Sequence, residues 1–86
     1  MEKHIILGVH ITERMKNARL VQDLLSEYGC NIKTRIGLHQ VHDNFCSPNG
    51  LMILEMSGDE AICLELEDKL RTMIGVAVQK MVFDHP

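Results

Sequence analysis

Aromatic residues are scarce in this chain, which has one Tyr, two Phe and no Trp among its 86 residues. Aromatic side chains usually supply much of the surface that a protein core buries. The core here must therefore consist of aliphatic residues and some of the six methionines. Such a core in so short a chain is marginal alone, and association with further copies would add stability. We therefore expect a homo-oligomer.

Basic clusters and long apolar segments are also missing. The net charge is −3, and the nine Lys and Arg residues are dispersed. Domains that bind nucleic acid directly usually carry a basic patch, so we expect no such binding by this domain alone. No apolar run approaches the roughly 18 residues of a membrane span, so we expect no membrane contact.

The cysteines do not form a disulfide framework. Cys30, Cys46 and Cys63 are odd in number and irregularly spaced, which is typical of reduced thiols. The first predicted strand begins at residue 4, before any segment with the features of a signal peptide. We therefore expect a cytoplasmic protein.

Two periodicities alternate along the chain. Apolar residues recur every second position over 4–11 and 31–41, and residues 51–56 are apolar at every position except Glu55. These three segments and 76–83 are predicted to be strands. Helical spacing follows Thr12 over 13–28, and a capping box from Ser57 to Glu60 starts a second helix that runs to about 73. Residues 42–50 contain turn signals and are predicted to be a loop.

The resulting order, β-α-β-β-α-β, predicts one α+β domain over residues 1–86 with a ferredoxin-like, ACT-like fold. Right-handed crossovers give a four-stranded antiparallel sheet of order 4-1-3-2 with both helices on one face. The other face, or an edge strand, is where we expect a second subunit. The residues predicted to be buried are Leu7, Val9, Leu25, Ile36, Leu54, Ile62, Leu66 and Leu70.

The layout resembles a known family at several points: the Arg35-Ile36-Gly37 strand, the Gly58-Asp59 turn and the Gly75-Val76 strand start. It is similar to the small ACT-like proteins grouped as iron-only hydrogenase system regulators. That resemblance implies a ferredoxin-like domain that oligomerises through its sheet and acts as a regulator. We identify no separate DNA-binding segment beside this domain in this sequence.

A second resemblance concerns His39, His42 and Cys46. The metal-sensing domain of the nickel-responsive repressor is also ACT-like and binds nickel through His and Cys in the corresponding region. Its two histidines are two residues apart, whereas they are three apart here. Imidazole and thiolate ligands suit Zn or Ni, and a neighbouring subunit could supply a fourth ligand. The alternative is two exposed histidines and a loop cysteine.

A small-effector site is the other candidate. The first resemblance implies that ligands lie between subunits, near the turn from the first strand into the first helix. Thr12 and Arg14 occupy that turn, and a guanidinium beside helical N–H groups could hold a carboxylate. The alternative is a plain helix cap with solvated charges.

No triad or paired-carboxylate spacing marks the chain as an enzyme. We therefore expect a non-enzymatic regulatory or sensor domain that binds a small effector or a transition metal. The alternative is a protein-interaction module without its own ligand.

The metal prediction can be tested by titrating Zn and Ni into the wild type and into a His39→Ala/Cys46→Ser variant. We expect the wild type to bind and the variant to bind much more weakly. Binding should also weaken as the pH falls through about 6.5, because imidazole must lose its proton to bind a metal. Equal affinity of the two proteins would contradict the site.

Overall fold

The computed structural model describes the backbone of residues 3–12, 14–42 and 45–84, and the side chains of 3–12, 19–37 and 50–84. Its elements follow the predicted order and are β1 (Lys3–Ile11), α1 (Arg14–Glu27), a 3-10 turn (Gly29–Asn31), β2 (Ile32–His42), β3 (Phe45–Met56), α2 (Glu60–Arg71) and β4 (Val76–Asp84).

The four strands form one sheet of order β2-β3-β1-β4, and each neighbouring pair is antiparallel. Both helices pack on the same face, where Ile5, Leu7 and Val9 of β1 are buried. The predicted ferredoxin-like fold and its strand order are thus confirmed. None of the helices in the described part of the chain is long and apolar enough to span a bilayer.

The core between sheet and helices is almost wholly aliphatic, as the scarcity of aromatic residues requires. Among the described side chains, Tyr28 is its one aromatic member. Six of the eight residues predicted to be buried are buried, namely Leu7, Val9, Leu25, Leu54, Leu66 and Leu70. Ile62 is partly buried and packs against this core.

Ile36 was predicted to be buried, and this is wrong: it is 49% exposed. The cause is a register shift early in β2, where Ile32 pairs with Met56 but Thr34 pairs with Glu55. One extra residue in a strand moves every later side chain to the opposite face. Ile36 therefore lies away from the helices, and Arg35 takes the helix side, where its guanidinium donates to the side-chain oxygen of Gln22 in α1.

The predicted loop over residues 42–50 is also wrong, because β3 already begins at Phe45. Val41 pairs with Cys46 and His42 with Phe45, so β2 and β3 continue as a long hairpin. Pro48 lies in the register shift between this pairing and the pairing of His39 with Gly50. Proline is tolerated in strands at such irregularities, which is why its turn signal misled the prediction.

The start of α2 differs slightly from the predicted capping box. Asp59 is the N-cap, and its carboxylate accepts a hydrogen bond of 2.9 Å from the Ala61 N–H. Ser57 instead joins the start of β2, because its N–H donates to the Asn31 carbonyl at 2.7 Å. Gly58 has a φ of 91°, and a Cβ there would lie 2.6 Å from the Asn31 amide nitrogen. Glycine is therefore required at this turn.

A charged cluster ties α2 to β4. The Glu67 carboxylate is buried and lies 2.8 Å from Arg71 Nη2 and 3.0 Å from Lys80 Nζ. Burial alone would raise the pKa of Glu67, but the hydrogen bonds and charges of Arg71 and Lys80 outweigh it and lower the pKa. The ionised carboxylate is therefore the form that the fold stabilises.

Leu66 tests the direction in which α2 faces the core. It is 0% exposed, so Leu66→Ala should lower the free energy of unfolding by about 2–5 kcal/mol, as large-to-small core changes do. Leu64→Ala on the same helix is the control, since Leu64 is 40% exposed and should lose less than about 1 kcal/mol. Equal losses in urea unfolding would contradict the described orientation of α2.

Glu67→Gln tests the charged cluster through its pH dependence. Because the folded-state pKa is lowered, the stabilisation is present above the ordinary glutamate value of about 4.5 and is lost as the pH falls through the folded value. At pH 7 the variant should be less stable by about 1–3 kcal/mol. This difference should shrink below pH 4.5; a difference that is constant from pH 7 to pH 3 would contradict the ion pairing.

Candidate functional site: the open face of the sheet

The sheet face opposite the helices carries side chains from all four strands, aligned in rows by the strand register. We call this surface the open face. Its described members are Thr34 and Ile36 of β2, Leu51, Ile53 and Glu55 of β3, His4, Ile6, Gly8 and His10 of β1, and Ala77, Gln79, Met81 and Phe83 of β4.

The open face is apolar and largely exposed. Ile36, Leu51, Met81 and Phe83 are between 39% and 52% exposed. Of its described members only Glu55 carries a carboxylate, which accepts a hydrogen bond of 2.8 Å from the Thr34 hydroxyl and lies 4.0 Å from Lys33 Nζ. Large apolar side chains that are exposed together on one face of a sheet often mark an interaction site.

A shallow depression of about 270 Å³ lies on this face, lined by Gly8, His10, Leu51, Ala77 and Gln79. Three strands contribute to it, because His10 of β1 pairs with Leu51 of β3 on one side and with Ala77 of β4 on the other. Gly8 and Ala77 leave the backbone nearly bare. Among the described side chains, those of His10 and Gln79 form no hydrogen bond with another protein group.

Gly8 is not required by the packing of the chain itself. A Cβ at this position would lie 3.8 Å from the Gln79 carbonyl oxygen, which is an ordinary contact. Glycine weakens a strand interior, and an isolated one often marks a place where something approaches the backbone closely. The depression was not predictable from the sequence, because its lining residues come from distant parts of the chain.

The predicted metal ligands His39, His42 and Cys46 have side chains outside the described residues. The backbone places all three in the same hairpin, with His42 opposite Phe45 and Cys46 opposite Val41. Among the side chains that the structure describes, no group of three or more potential metal ligands occurs. The metal site therefore stays a prediction.

The predicted effector site is described only in part, because the side chain of Arg14 lies outside the described residues. Thr12 is exposed and follows β1, and its N–H donates to the Gly75 carbonyl oxygen at 2.7 Å. This bond places the turn beside the α2–β4 connection, where Ile74 is 92% exposed. The effector site at Thr12 and Arg14 also stays a prediction.

The two described cysteines have free thiols. Cys63 is buried, and burial raises the pKa of its thiol, with a smaller contribution from Asp59 and Glu60. A neutral thiol on the buried side of α2 is poorly suited to act as a nucleophile. Its role is packing.

No family model and no curated protein matches the chain. Among solved structures, it is similar to an uncharacterized protein from Thermotoga maritima, with 27% identity and a TM-score of 0.79 over 94% of this chain and 98% of that one. It is also similar to a nitrogen regulatory PII-like protein from Thiomonas intermedia, bound to ADP, AMP and bicarbonate. That likeness has 15% identity and a TM-score of 0.54, and covers 98% of this chain and 96% of that one. The second likeness shows the shared fold.

Proposed function

We propose that this chain is a single, non-enzymatic regulatory domain that acts as a cytoplasmic homo-oligomer and binds a small effector. One observation carries the proposal: the open face exposes Ile36, Leu51, Met81 and Phe83 together on one surface. The helices cannot cover that face, because they already pack on the other one. A second copy of the chain is the partner that would cover it.

The charge distribution favours association through this face. Covering a charged side chain is costly unless it keeps a partner, and the described part of the open face has only Glu55, which has Thr34 and Lys33 beside it. The edge strand β2 is less suitable, since Lys33 is exposed there and charged residues on an edge oppose strand pairing. Two copies related by a twofold axis would use the same surface on both sides.

Effector binding rests on the fold and on the sequence resemblance. The PII-like protein has this fold and holds ADP, AMP and bicarbonate, and the chain resembles the ACT-like regulators of the iron-only hydrogenase system. Thr12 and Arg14 are the proposed effector residues, and His39, His42 and Cys46 are the proposed ligands if the effector is Zn or Ni. Free thiols at Cys30 and Cys63 favour a reducing compartment.

The assembly is tested by light scattering at micromolar concentration. We expect at least twice the chain mass of 9.8 kDa. Ile36→Glu should shift the protein towards the monomer, because it places a charge in the proposed interface. Leu20→Glu is the matched control: Leu20 is 58% exposed on α1, away from the open face, and its substitution should leave the mass unchanged.

A wild-type mass near 9.8 kDa would overturn the homo-oligomer. It would favour the alternative, a module whose open face takes a different protein. Equal masses of the Ile36→Glu variant and the wild type would place the interface elsewhere on the molecule.

A further inference from the structure

We propose that the depression around Gly8 is a binding site for an uncharged, planar heterocycle of one or two rings that carries a hydrogen-bond donor and an acceptor. The site becomes enclosed when a second copy covers the open face, so this inference rests on the proposed function. It is distinct from the predicted effector site at Thr12 and Arg14, because its lining residues lie on the surface of the sheet.

The polar groups in the depression indicate what can fill it. His10 and Gln79 are exposed in the single chain, where water can satisfy them. A second copy would remove that water, and buried polar groups are nearly always hydrogen-bonded. An aliphatic side chain from the partner would leave the imidazole and the amide without partners. A ligand with its own donor and acceptor would satisfy them.

The volume of the depression limits the size of the ligand that it can hold. Its volume is about 270 Å³, below the roughly 300–1,000 Å³ of pockets for drug-sized molecules. It is larger than a cavity of about 150 Å³, which can hold benzene. One or two fused rings therefore match the space, and the bare backbone at Gly8 and Ala77 offers a flat floor for them.

The charges around the depression limit the ligand further. None of the five described lining residues is a Lys, Arg, Asp or Glu. Neutral histidine and glutamine each provide one kind of donor and one kind of acceptor. Glu55 lies one row away, opposite Ile6, and its carboxylate is already held by Thr34. A charged ligand would find no Lys, Arg, Asp or Glu in the described part of the lining, so we infer an uncharged one.

A larger side chain at position 8 tests whether the ligand binds in the depression. Gly8→Val should be compatible with the strand, since the nearest atom to a new Cβ is 3.8 Å away and valine favours strands. The new side chain would occupy the depression. Gly37→Val is the matched control: it adds the same side chain to β2, where a Cβ would have nothing within 4 Å. Gly37 is opposite the buried Met52 and thus off the open face.

Two probes of equal shape test the polar groups: 7-azaindole, which has an adjacent donor and acceptor, and indole, which has the donor alone. Affinity is measured by ligand-observed NMR on the full chain, and the mass of each protein is measured under the same conditions. We expect the wild type and Gly37→Val to bind 7-azaindole at least tenfold more tightly than indole. Gly8→Val should bind neither probe, and Gln79→Leu should lose the preference while keeping the wild-type mass.

The outcomes separate this site from the assembly that it depends on. A monomeric wild type would overturn the proposed homo-oligomer and the enclosed site with it. An oligomer that binds neither probe up to millimolar concentration, or that binds both equally, would overturn the heterocycle site alone. Equal binding by Gly8→Val and the wild type would also overturn it.

Discussion

Packing of two helices onto one side of the sheet is the constraint on which the other features of this chain depend. Leu7 and Leu54 in the sheet meet Leu66 and Leu70 of α2 in a core from which water is excluded, and all four are 0% exposed. Burial of each such side chain contributes about 1.5–3 kcal/mol. Because side chains in a strand alternate between faces, the same strands must present their remaining residues on the open face. The exposed apolar side chains of the open face are therefore a consequence of strands that are rich in aliphatic residues.

The fold was predictable because its signals are local. The strand alternation and the helical spacing each depend on a few neighbouring residues, and the handedness of the crossovers then fixes the strand order. The register shift in β2 was not predictable in this way. Residues 32–38 alternate regularly in sequence, and the extra residue becomes visible only when the strand pairs with β3. The misplacement of Ile36 follows from that pairing.

The hairpin of β2 and β3 was also not predictable from local sequence signals. Pro48 and Gly50 are strong local turn signals, yet β3 extends through them, and a register shift accommodates the proline.

The candidate site was predictable only in outline. The sheet face without helices was expected to meet a second subunit, but the depression on it combines residues from β1, β3 and β4 that only the sheet register brings together.

The described ion pairs lie mainly on the helix-covered side of the sheet, and the open face has fewer charged groups. In β4, Lys80 reaches Glu67 of α2 at 3.0 Å, whereas its neighbours Gln79 and Met81 lie on the open face. The Tyr28 hydroxyl donates to the Glu65 carboxylate at 2.7 Å and joins the end of α1 to α2. These contacts place charged groups on the helix side, where each has a partner.

Among its described residues, the open face has only Glu55 as a formally charged side chain, which has two effects. In the proposed homo-oligomer, a second copy would cover this face without removing unpaired charges of the described residues from water, and association would depend mainly on apolar contact. The polar groups that remain near its centre, His10 and Gln79, then become the features that distinguish one occupant of the depression from another. A neutral surface with two hydrogen-bonding side chains over a glycine floor can select a ligand by its pattern of donors and acceptors rather than by its charge.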